Sequence, residues 1–290
     1  MEVVAESWDH LMSLLYADSW DDGLRRHRSK FVFRGVTKRS YALIPSLDRI
    51  GDHKDIAKVE RLLLSDFHQY ARSDAAPGSS EWNWLAMAQH YGLPTRFLDW
   101  TFSPYVALHF ATDDLGPEAE IGDAAIWCVN YRETNRTLPV VLKEKLGEYR
   151  KQVFSVETLD SVVQSLKELD RLSREPFVIF LEPPSLDERI VNQAALFSIT
   201  SRPEFQDRSL PATQSLDQIL KEEAGNRHDE ASVLYRRIEI PASLRWEIRD
   251  KLDQANINER VMFPGLDGLC QWLRRHYTRR PLPGKIDKLS

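Results

Sequence analysis

Arg34 is the first side chain of the sequence whose setting suits chemistry. It follows the aromatic and β-branched run 31–33 and precedes Gly35, so the pattern predicts a strand that ends in a projecting guanidinium. A planar guanidinium binds a phosphate or a carboxylate through two parallel hydrogen bonds. An Arg in this position is equally suited to a structural ion pair, and the residue types leave both roles open.

A second group of polar side chains lies in the middle of segment 81–112, between two apolar helices. The intervening residues carry Arg96, Asp99, Trp100 and Thr101 and are predicted to form a loop. A loop held between two packed helices can direct its polar atoms into a cleft, where binding sites are usually built. Arg96 and Asp99 are three residues apart. They are expected either to form a salt bridge that closes the loop or to contact a ligand.

Four more polar residues stand beside these elements. His90 and Tyr91 end the helix before the loop, where the helix dipole favours a His even without a catalytic role. Contact with a ligand is the alternative for both. Asn192 and Gln193 precede an apolar strand. Buried amides need hydrogen-bond partners, so these two serve either the core or a ligand.

The bulk composition restricts the classes of partner. The chain has 290 residues, 42% of them hydrophobic, which is enough to form a core. The 39 Lys and Arg against 44 Asp and Glu give a net charge of −5, so no general attraction to nucleic acid or anionic membrane is expected. A local basic patch or a solvated tail is predicted at the C-terminal cluster Arg274, Arg275, Arg279 and Arg280.

The remaining sequence signals indicate a soluble, cytoplasmic protein without a metal. Cys128 and Cys270 lie far apart in apolar contexts and are predicted to be small buried residues in a reducing compartment. The chain has no CxxC pair or Cys/His group with metal-ligand spacing, no Gly-rich phosphate loop and no HExxH motif. The acidic N-terminal segment does not resemble a signal peptide, and no run approaches the roughly 20 apolar residues of a membrane span.

Hydrophobic periodicity places helices and strands around the polar residues. Helices are predicted at 7–26, 55–70, from 81 to the break at 92–94, from 103 onward, and at 156–172, 215–224, 242–254 and 266–277. Strands are predicted at 31–35, 124–131, 177–181, 196–199 and 233–240, with an extended segment at 258–263. Ser103-Pro104 is a typical pairing of an N-cap with a first-turn residue. Because helices and strands do not alternate regularly, the pattern predicts a single α+β domain.

Four separated stretches resemble the FRG domain family, named after its Phe-Arg-Gly motif. They are Phe33-Arg34-Gly35; 89–96 (QHYGLPTR) continuing through 98–101 (LDWT) to Ala107-Leu108; Arg189-Ile190 with Gln193 and Phe197; and 257–259 (INE) followed by 263–269 (FPGLDGL). The resemblance implies an N-terminal helical segment at 1–29, an FRG domain at 30–278 and a C-terminal tail at 279–290.

A second resemblance is to ADP-ribosyltransferases of the Arg–Ser–Glu type. Their first strand carries an Arg, like Arg34 here, and a later Ser-Thr-Ser strand leads into a Ser-Pro-x-Val-Ala-Leu helix, to which 99–108 (DWTFSPYVAL) is similar. Their third strand region carries a catalytic Glu, and Asn192-Gln193 falls where it would be expected. This resemblance implies a split mixed β-sheet with flanking helices, and NAD as the substrate.

The second resemblance also implies roles for single residues. Arg34 would anchor the NAD pyrophosphate or the nicotinamide ribose, and Asp99 and Thr101 would order the nicotinamide pocket. Gln193 would replace the Glu that holds the ribose hydroxyl, but a neutral amide cannot supply the charge that stabilises a developing cation. Asp99 could supply that charge from another side. The other predicted NAD-binding residues are His90, Tyr91, Arg96, Trp100 and Asn192.

Two classes of function follow. The first is an NAD-dependent mono-ADP-ribosyltransferase or NAD glycohydrolase that acts on an unknown macromolecular acceptor, protein or nucleic acid. The second is a module that binds a nucleotide, ADP-ribose or nucleic acid without turnover. The transferase resemblance further implies a toxin or phage-defence effector, which would have a neutralising antitoxin protein as a partner.

Overall fold

One eight-stranded mixed β-sheet forms the centre of the fold, with helices on both faces. The computed structural model describes residues 1–51, 55–71, 78–113, 122–185, 187–203, 214–227 and 232–279. The predicted single domain with a mixed sheet and flanking helices is confirmed.

The strands of the described residues are β1 (Glu2–Val4), β2 (Trp20–Asp21), β3 (Arg26–His27), β4 (Phe31–Val36), β5 (Phe97–Thr101), β6 (Ala124–Asn130), β7 (Phe154–Ser155), β8 (Val178–Glu182), β9 (Ala195–Thr200) and β10 (Tyr235–Ile240). The helices are α1 (Trp8–Tyr16), α2 (Ile56–Tyr70), α3 (Glu81–His90), α4 (Pro104–Ala111), α5 (Tyr131–Thr134), α6 (Val140–Glu148), α7 (Val156–Asp160), α8 (Leu166–Arg171), α9 (Glu188–Asn192), α10 (Leu216–Gly225), α11 (Ala242–Gln254), α12 (Glu259–Met262) and α13 (Leu266–His276). Single 3-10 turns lie at Leu47–Arg49 and Asn135–Thr137.

The large sheet consists of two halves that meet at a narrow seam. Its strand order is β1-β10-β6-β4-β5-β9-β8-β7, with β2 and β3 forming a separate hairpin. β4 pairs with β6, and β5 with β9, along their whole lengths. At the seam between β4 and β5, the register contains the single pair Phe33–Thr101. The two strands therefore diverge on either side of this pair, and the polar ends of both strands lie at the opening.

Alternating side chains of each half-sheet fill separate cores. Phe31 and Phe33 of β4 pack with α1, α4 and α11 on one face, whereas Val32 and Val36 face the opposite core. In the other half, Phe97 of β5 packs against α3 and helices α6–α8. Burial on both faces explains why these strands read as nearly continuous apolar runs.

Several predicted elements are confirmed with small shifts at their ends: β4, α2, α3, α4, β6, β8, β9, α10, β10, α11 and α13. Ser103 caps α4 as predicted, since its hydroxyl accepts a hydrogen bond from the backbone N–H of Val106 at 3.4 Å. Seven elements were not predicted: β1, β2, β3, β7, α5, α6 and α9. β1 pairs in parallel with β10, so the first residues of the chain form an edge of the large sheet.

Four local predictions were wrong. The helix predicted at 7–26 ends at Tyr16, because the β2–β3 hairpin follows it. The loop predicted at 95–101 is strand β5, because pairing with β9 outweighs the polar residues within it. The helix predicted at 156–172 is broken, because the hydroxyl of Ser165 caps a new helix. The segment at 258–263 forms the helical turn α12, because ion pairs hold Glu259.

Candidate functional site

A cavity of about 480 Å³ opens where β4 and β5 diverge. Its size is typical of pockets that hold a small molecule. Among the predicted site residues, Arg34, His90, Asp99, Trp100, Thr101 and Gln193 line it. The structure thus brings together the end of β4, the outer part of β5 and the segment between α9 and β9.

Arg34 reaches across the seam to β5. Its Nη1 donates a hydrogen bond to the backbone carbonyl of Asp99 at 2.5 Å and lies 3.8 Å from the Asp99 carboxylate. The Arg34 side chain is 21% exposed and that of Asp99 is 62% exposed, so both groups are accessible from the cavity. Burial lowers the pKa of Arg34, and the Asp99 carboxylate acts in the opposite direction. Arg34 keeps its charge at neutral pH because a guanidinium is not deprotonated in proteins.

Gly35 allows the backbone of α4 to cross β4 directly beside Arg34. A Cβ atom at Gly35 would lie 2.0 Å from the Ala107 carbonyl oxygen and 2.6 Å from the Ala111 nitrogen. No larger residue fits this crossing without displacing the helix. Gly35 therefore fixes the position of the strand that presents Arg34.

Gln89, at the end of α3, is a second side chain that holds Asp99. Its Nε2 donates to both carboxylate oxygens of Asp99 at 3.0 Å, and its Oε1 accepts from the Thr95 hydroxyl at 2.6 Å. Asp99 thus has both an amide donor and a guanidinium beside its carboxylate. This arrangement orients a carboxylate towards the cavity without burying it.

Thr101 and Gln193 use their polar groups mainly to fix the backbone. The Thr101 hydroxyl donates to the Gln193 carbonyl at 2.7 Å and accepts from the backbone N–H of Ser103 at 3.0 Å. The Gln193 side chain donates through Nε2 to the carbonyl of Met262 at 2.9 Å. Both residues line the cavity, and both tie β5, α9 and α12 together.

The other residues predicted around His90 have different environments. His90 lines the cavity, and its Nε2 lies 2.8 Å from the Asp187 carboxylate. Tyr91 is 74% exposed and is absent from the lining of the described cavity. Asn192 also lies outside the lining and donates to the Val261 carbonyl at 2.9 Å.

Arg96 lies away from this cavity, and the predicted salt bridge between Arg96 and Asp99 is wrong. The Arg96 guanidinium is buried and donates to Glu60 of α2 at 2.7 Å and to Asp170 of α8 at 2.8 Å. Burial acts to lower its pKa, but Glu60 and Asp170 outweigh burial and raise it. Arg96 therefore ties helices α2 and α8 to the start of β5. Trp100 borders the cavity, but its ring is buried and its Nε1 donates to the Ser198 hydroxyl at 2.8 Å.

A larger cavity, of about 640 Å³, lies over the Arg96 ion pairs between α2, α3 and α8. Of the predicted site residues, Arg96 alone borders it. Its charged floor is formed by Arg96, Glu60 and Asp170, which are already engaged with one another in ion pairs. We place the candidate site at the seam instead, because Arg34 and Asp99 there are both accessible.

A buried ion-pair network holds α12 behind the cavity. Glu259 accepts from Arg275 at 2.6 Å and also pairs with Arg249, while Arg275 pairs with Asp253. Burial alone would raise the pKa of Glu259, but hydrogen bonds from Arg275 and the charge of Arg249 lower it to about 2. Since Met262 of α12 holds Gln193, this network supports one wall of the site.

Gln89 and Arg189 are among the lining side chains that were not selected from the sequence. Gln89 holds Asp99, and Arg189 lies over the ring of Phe263 at 5.0 Å. Both belong to the stretches that resemble the FRG family, and that membership was the available signal. Their contacts cannot be read from the sequence, since the partners lie 10 residues from Gln89 and 74 residues from Arg189.

The predictions for the cysteines and the C-terminal arginines need correction. Cys128 is buried as predicted, and burial raises its pKa to about 12, whereas Cys270 is exposed. Arg275 is buried by its ion pairs and belongs to neither a solvated tail nor a basic patch, while Arg274 is exposed. Arg280 lies outside the described residues.

The described part of the chain lacks both a metal-ligand cluster and a helix suited to spanning a membrane. It contains no group of three or more His, Cys, Asp or Glu side chains arranged to hold a metal ion. None of its helices combines the length and the apolar composition needed to cross a membrane.

Comparison with known proteins gives one match. Residues 29–120 match the family model described as the FRG domain. No curated protein and no solved structure matches the chain significantly. The matched segment includes β4, α3, β5 and α4, which carry Arg34, Gln89 and Asp99. The chain therefore contains an FRG domain, as its Phe33-Arg34-Gly35 motif and the QHYGLPTR sequence at 89–96 predicted.

Proposed function

We propose that the cleft between β4 and β5 binds NAD and that the protein is an NAD-dependent mono-ADP-ribosyltransferase or a related NAD glycohydrolase. The observation that carries the proposal is the meeting of Arg34, Asp99 and Gln193 in one cavity of about 480 Å³. The split sheet, with an Arg on one side and a polar strand leading into a Ser-Pro helix on the other, supports the transferase resemblance.

Arg34 is the proposed anchor of the dinucleotide. Its guanidinium offers several N–H donors in a rigid fork, which suits the pyrophosphate or the ribose hydroxyls. Its place beside the seam allows the ligand to lie along the opening between the two half-sheets. The positive charge also complements the two phosphates, and their approach would compete with Asp99 for the guanidinium.

Asp99 is the proposed electrostatic group of the reaction. It is the one carboxylate among the described residues that line the cavity. In the proposed step the bond between the ribose C1′ and the nicotinamide nitrogen breaks, and nicotinamide leaves with the bonding electrons. A fixed carboxylate near the ribose stabilises the resulting oxocarbenium-like carbon. An acceptor hydroxyl or water then bonds to C1′ and releases its proton to solvent, whereas an acceptor carboxylate bonds to C1′ without releasing a proton.

Gln193 contributes position in this scheme and supplies no charge. Its amide nitrogen is already committed to Met262, and its backbone carbonyl holds Thr101. The side-chain amide can still approach a ribose hydroxyl from the wall of the cavity. The charge that a Glu supplies in the resembled transferases is assigned to Asp99.

A second candidate is a module that binds ADP-ribose, a nucleotide or a nucleic-acid end without turnover. Gln193 in the place of a catalytic Glu favours it, because an amide binds a ribose hydroxyl but does not stabilise a cation. Calorimetry with NAD, ADP-ribose and short oligonucleotides distinguishes the candidates. Tight ADP-ribose binding without NAD consumption would favour the module, and absence of binding to all three would exclude it.

The test of the enzyme is nicotinamide release from labelled NAD, measured with and without cell lysate as the source of acceptor. We expect release by the wild type and at least tenfold slower release by Arg34→Lys, because an ammonium lacks the guanidinium fork. Arg136→Lys is the matched control, since Arg136 is 61% exposed and lies outside the cavity lining. Absence of release by the wild type, or equal rates for wild type and Arg34→Lys, would contradict the proposal.

The biological role proposed with this activity is that of a toxin or phage-defence effector restrained by an antitoxin protein. The transferase resemblance is its support, and the acceptor is proposed to be a protein or nucleic acid. Expression in bacteria provides the test: the wild type should slow growth and Asp99→Asn should not. Equal growth of the two strains at equal protein level would contradict the role.

A further inference from the structure

α13 carries its apolar side chains on the face that points to solvent. Leu266, Leu269, Leu273 and Tyr277 are 77%, 36%, 38% and 79% exposed, and Cys270 between them is exposed. These positions follow the i, i+3, i+4 and i+7 spacing of one helical face. We name this set the α13 face.

The opposite side of α13 is fixed to the fold by polar contacts and close packing. Arg275 is buried in its ion pairs with Asp253 and Glu259. A Cβ at Gly268 would lie 1.9 Å from the Phe263 carbonyl oxygen, so the helix backbone rests directly on the segment after α12. The helix therefore cannot rotate to bury its apolar stripe, and a continuous exposed apolar stripe of this kind marks a protein contact.

Two opposite charges flank the α13 face on one side. Asp267 and Arg274 are seven residues apart, which is about two helical turns, so both lie along the same edge of the stripe. A second α13 packed antiparallel about a twofold axis near Cys270 would place its Arg274 opposite Asp267. The same axis places Asp267 of the second copy opposite Arg274 of the first, as a self-complementary interface requires. Leu273 of each copy would pack between Leu266 and Cys270 of the other.

We propose that the α13 face binds a second copy of this chain as an antiparallel, twofold-symmetric helix pair. The charge pattern selects this occupant, because the edge that carries Asp267 and Arg274 is complementary to itself. One face of a three-turn helix is small compared with the roughly 800 Å² per partner of a standard interface. The dimer is therefore expected to dissociate in the micromolar range.

Sedimentation of the full chain over a range of concentrations measures the dimer. We expect Leu273→Asp to be monomeric, because the substitution places a charge at the centre of the apolar stripe. Leu62→Asp is the matched control, since Leu62 is 54% exposed on α2, and it should dimerise as the wild type does. Urea unfolding checks that Leu273→Asp remains folded.

A charge exchange tests the antiparallel register. Asp267→Arg and Arg274→Asp should each weaken the dimer by about tenfold, because each replaces two attractions by two repulsions. The double variant should regain most of the wild-type affinity. A short bismaleimide should crosslink two copies through Cys270, and Cys270→Ser should abolish the crosslink while the dimer persists.

Three results would overturn the proposal. If the wild-type chain stays monomeric up to about 100 µM, the α13 face does not bind a second copy. Another occupant, such as residues 280–290 of the same chain, would then have to bind it. Unchanged dimerisation of Leu273→Asp would place the interface elsewhere. A double charge variant no stronger than the single variants would exclude the antiparallel register.

Discussion

At the scale of single residues, the site depends on a contact between Arg34 and Asp99 that is close but still open to the cavity. The charged groups lie 3.8 Å apart, and the Asp99 carboxylate is largely solvated. An exposed ion pair of this kind stabilises a fold by about 1 kcal/mol or less. So small a gain in stability does not account for the pair, and we attribute it to the proposed contact of both groups with a ligand.

Asp99→Asn tests the electrostatic role assigned to the carboxylate. The amide keeps the shape of the side chain and removes its charge, so the proposed oxocarbenium-like state loses its stabilising partner. We expect nicotinamide release to fall by about 10²-fold or more, while ADP-ribose binding changes by less than about threefold. The measurement pairs a rate assay with calorimetry, and Asp66→Asn on the exposed side of α2 serves as the control. An undiminished rate in Asp99→Asn would refute this role.

His109 makes stability depend on pH. Burial, together with the charge of Arg249, lowers its pKa to about 3, and its neutral Nδ1 pairs with Arg249 Nη1 at 2.9 Å. In the unfolded chain, His109 binds a proton near pH 6.5. The stability that the folded chain gains from a neutral His109 is therefore complete above that pH and is lost as the pH falls towards 3. The lowered pKa corresponds to a loss of roughly 5 kcal/mol at most.

Urea unfolding from pH 7 to pH 4 measures this effect. The free energy of unfolding should fall less steeply with acidification in His109→Gln than in the wild type, because the variant lacks the group that titrates. His276→Gln should retain the wild-type slope, since His276 is exposed. Equal slopes for wild type and His109→Gln would show that the buried imidazole is not the source.

At the scale of elements, the site requires β4 and α4 to lie in direct backbone contact. The glycine of the Phe-Arg-Gly motif provides this contact, because a Cβ at Gly35 would lie 2.0 Å from the Ala107 carbonyl oxygen. The motif thus joins Arg34, the proposed ligand anchor, to a glycine required for packing. Substitution of Arg34 should therefore weaken ligand binding, whereas substitution of Gly35 should destabilise the fold.

Gly35→Ala should destabilise the fold by about 3 kcal/mol or more, because α4 must move away from β4. Gly147→Ala is the matched control: a Cβ there meets nothing within 4 Å inside helix α6, and the substitution should stabilise by up to about 1 kcal/mol. Urea unfolding compares both variants with the wild type. A Gly35→Ala protein of wild-type stability would contradict the close crossing of helix and strand.

Helix α12 links a buried charge network to the site. Glu259→Gln should cost about 3–5 kcal/mol of stability, because Arg249 and Arg275 lose a buried counter-charge. It should also weaken ADP-ribose binding, since α12 holds Gln193 through the Met262 carbonyl. Glu247→Gln, at a 44% exposed ion pair with Lys251, should change stability by less than about 0.5 kcal/mol. If Glu259→Gln lowers the stability but leaves ADP-ribose binding unchanged, α12 does not support the site.

At the scale of the whole molecule, the sequence predicted the mixed sheet, most of its long elements and the meeting of Arg34 with Asp99 and Gln193. Apolar runs and motif order carried that information. The sequence did not reveal that residues 97–101 form a strand, because the ladder with β9 depends on residues about 100 positions away. For the same reason the partners of Arg96 were mispredicted: Glu60 and Asp170 lie 36 and 74 residues from it.

Short elements could not be predicted from the sequence, for a related reason. β1 and α12 have too few residues for a periodic pattern, and they are stabilised by β10 and by the ion pairs of Glu259. Tertiary contacts outweigh local propensity in such segments. The ion pairs of Glu259 also support, through α12, the wall of the cavity behind Gln193. The sequence therefore indicated which residues meet but not what supports them.

The account rests on the claim that the seam between the two half-sheets is a nucleotide site anchored by Arg34. Calorimetric titration of ADP-ribose into the wild type, Arg34→Ala and the control Arg136→Ala tests it most directly, because binding is measured independently of turnover. We predict binding by the wild type and the control, and an affinity at least tenfold lower for Arg34→Ala, as expected for loss of a charge-assisted contact. Absence of binding by the wild type, or equal affinity for all three proteins, would contradict the claim.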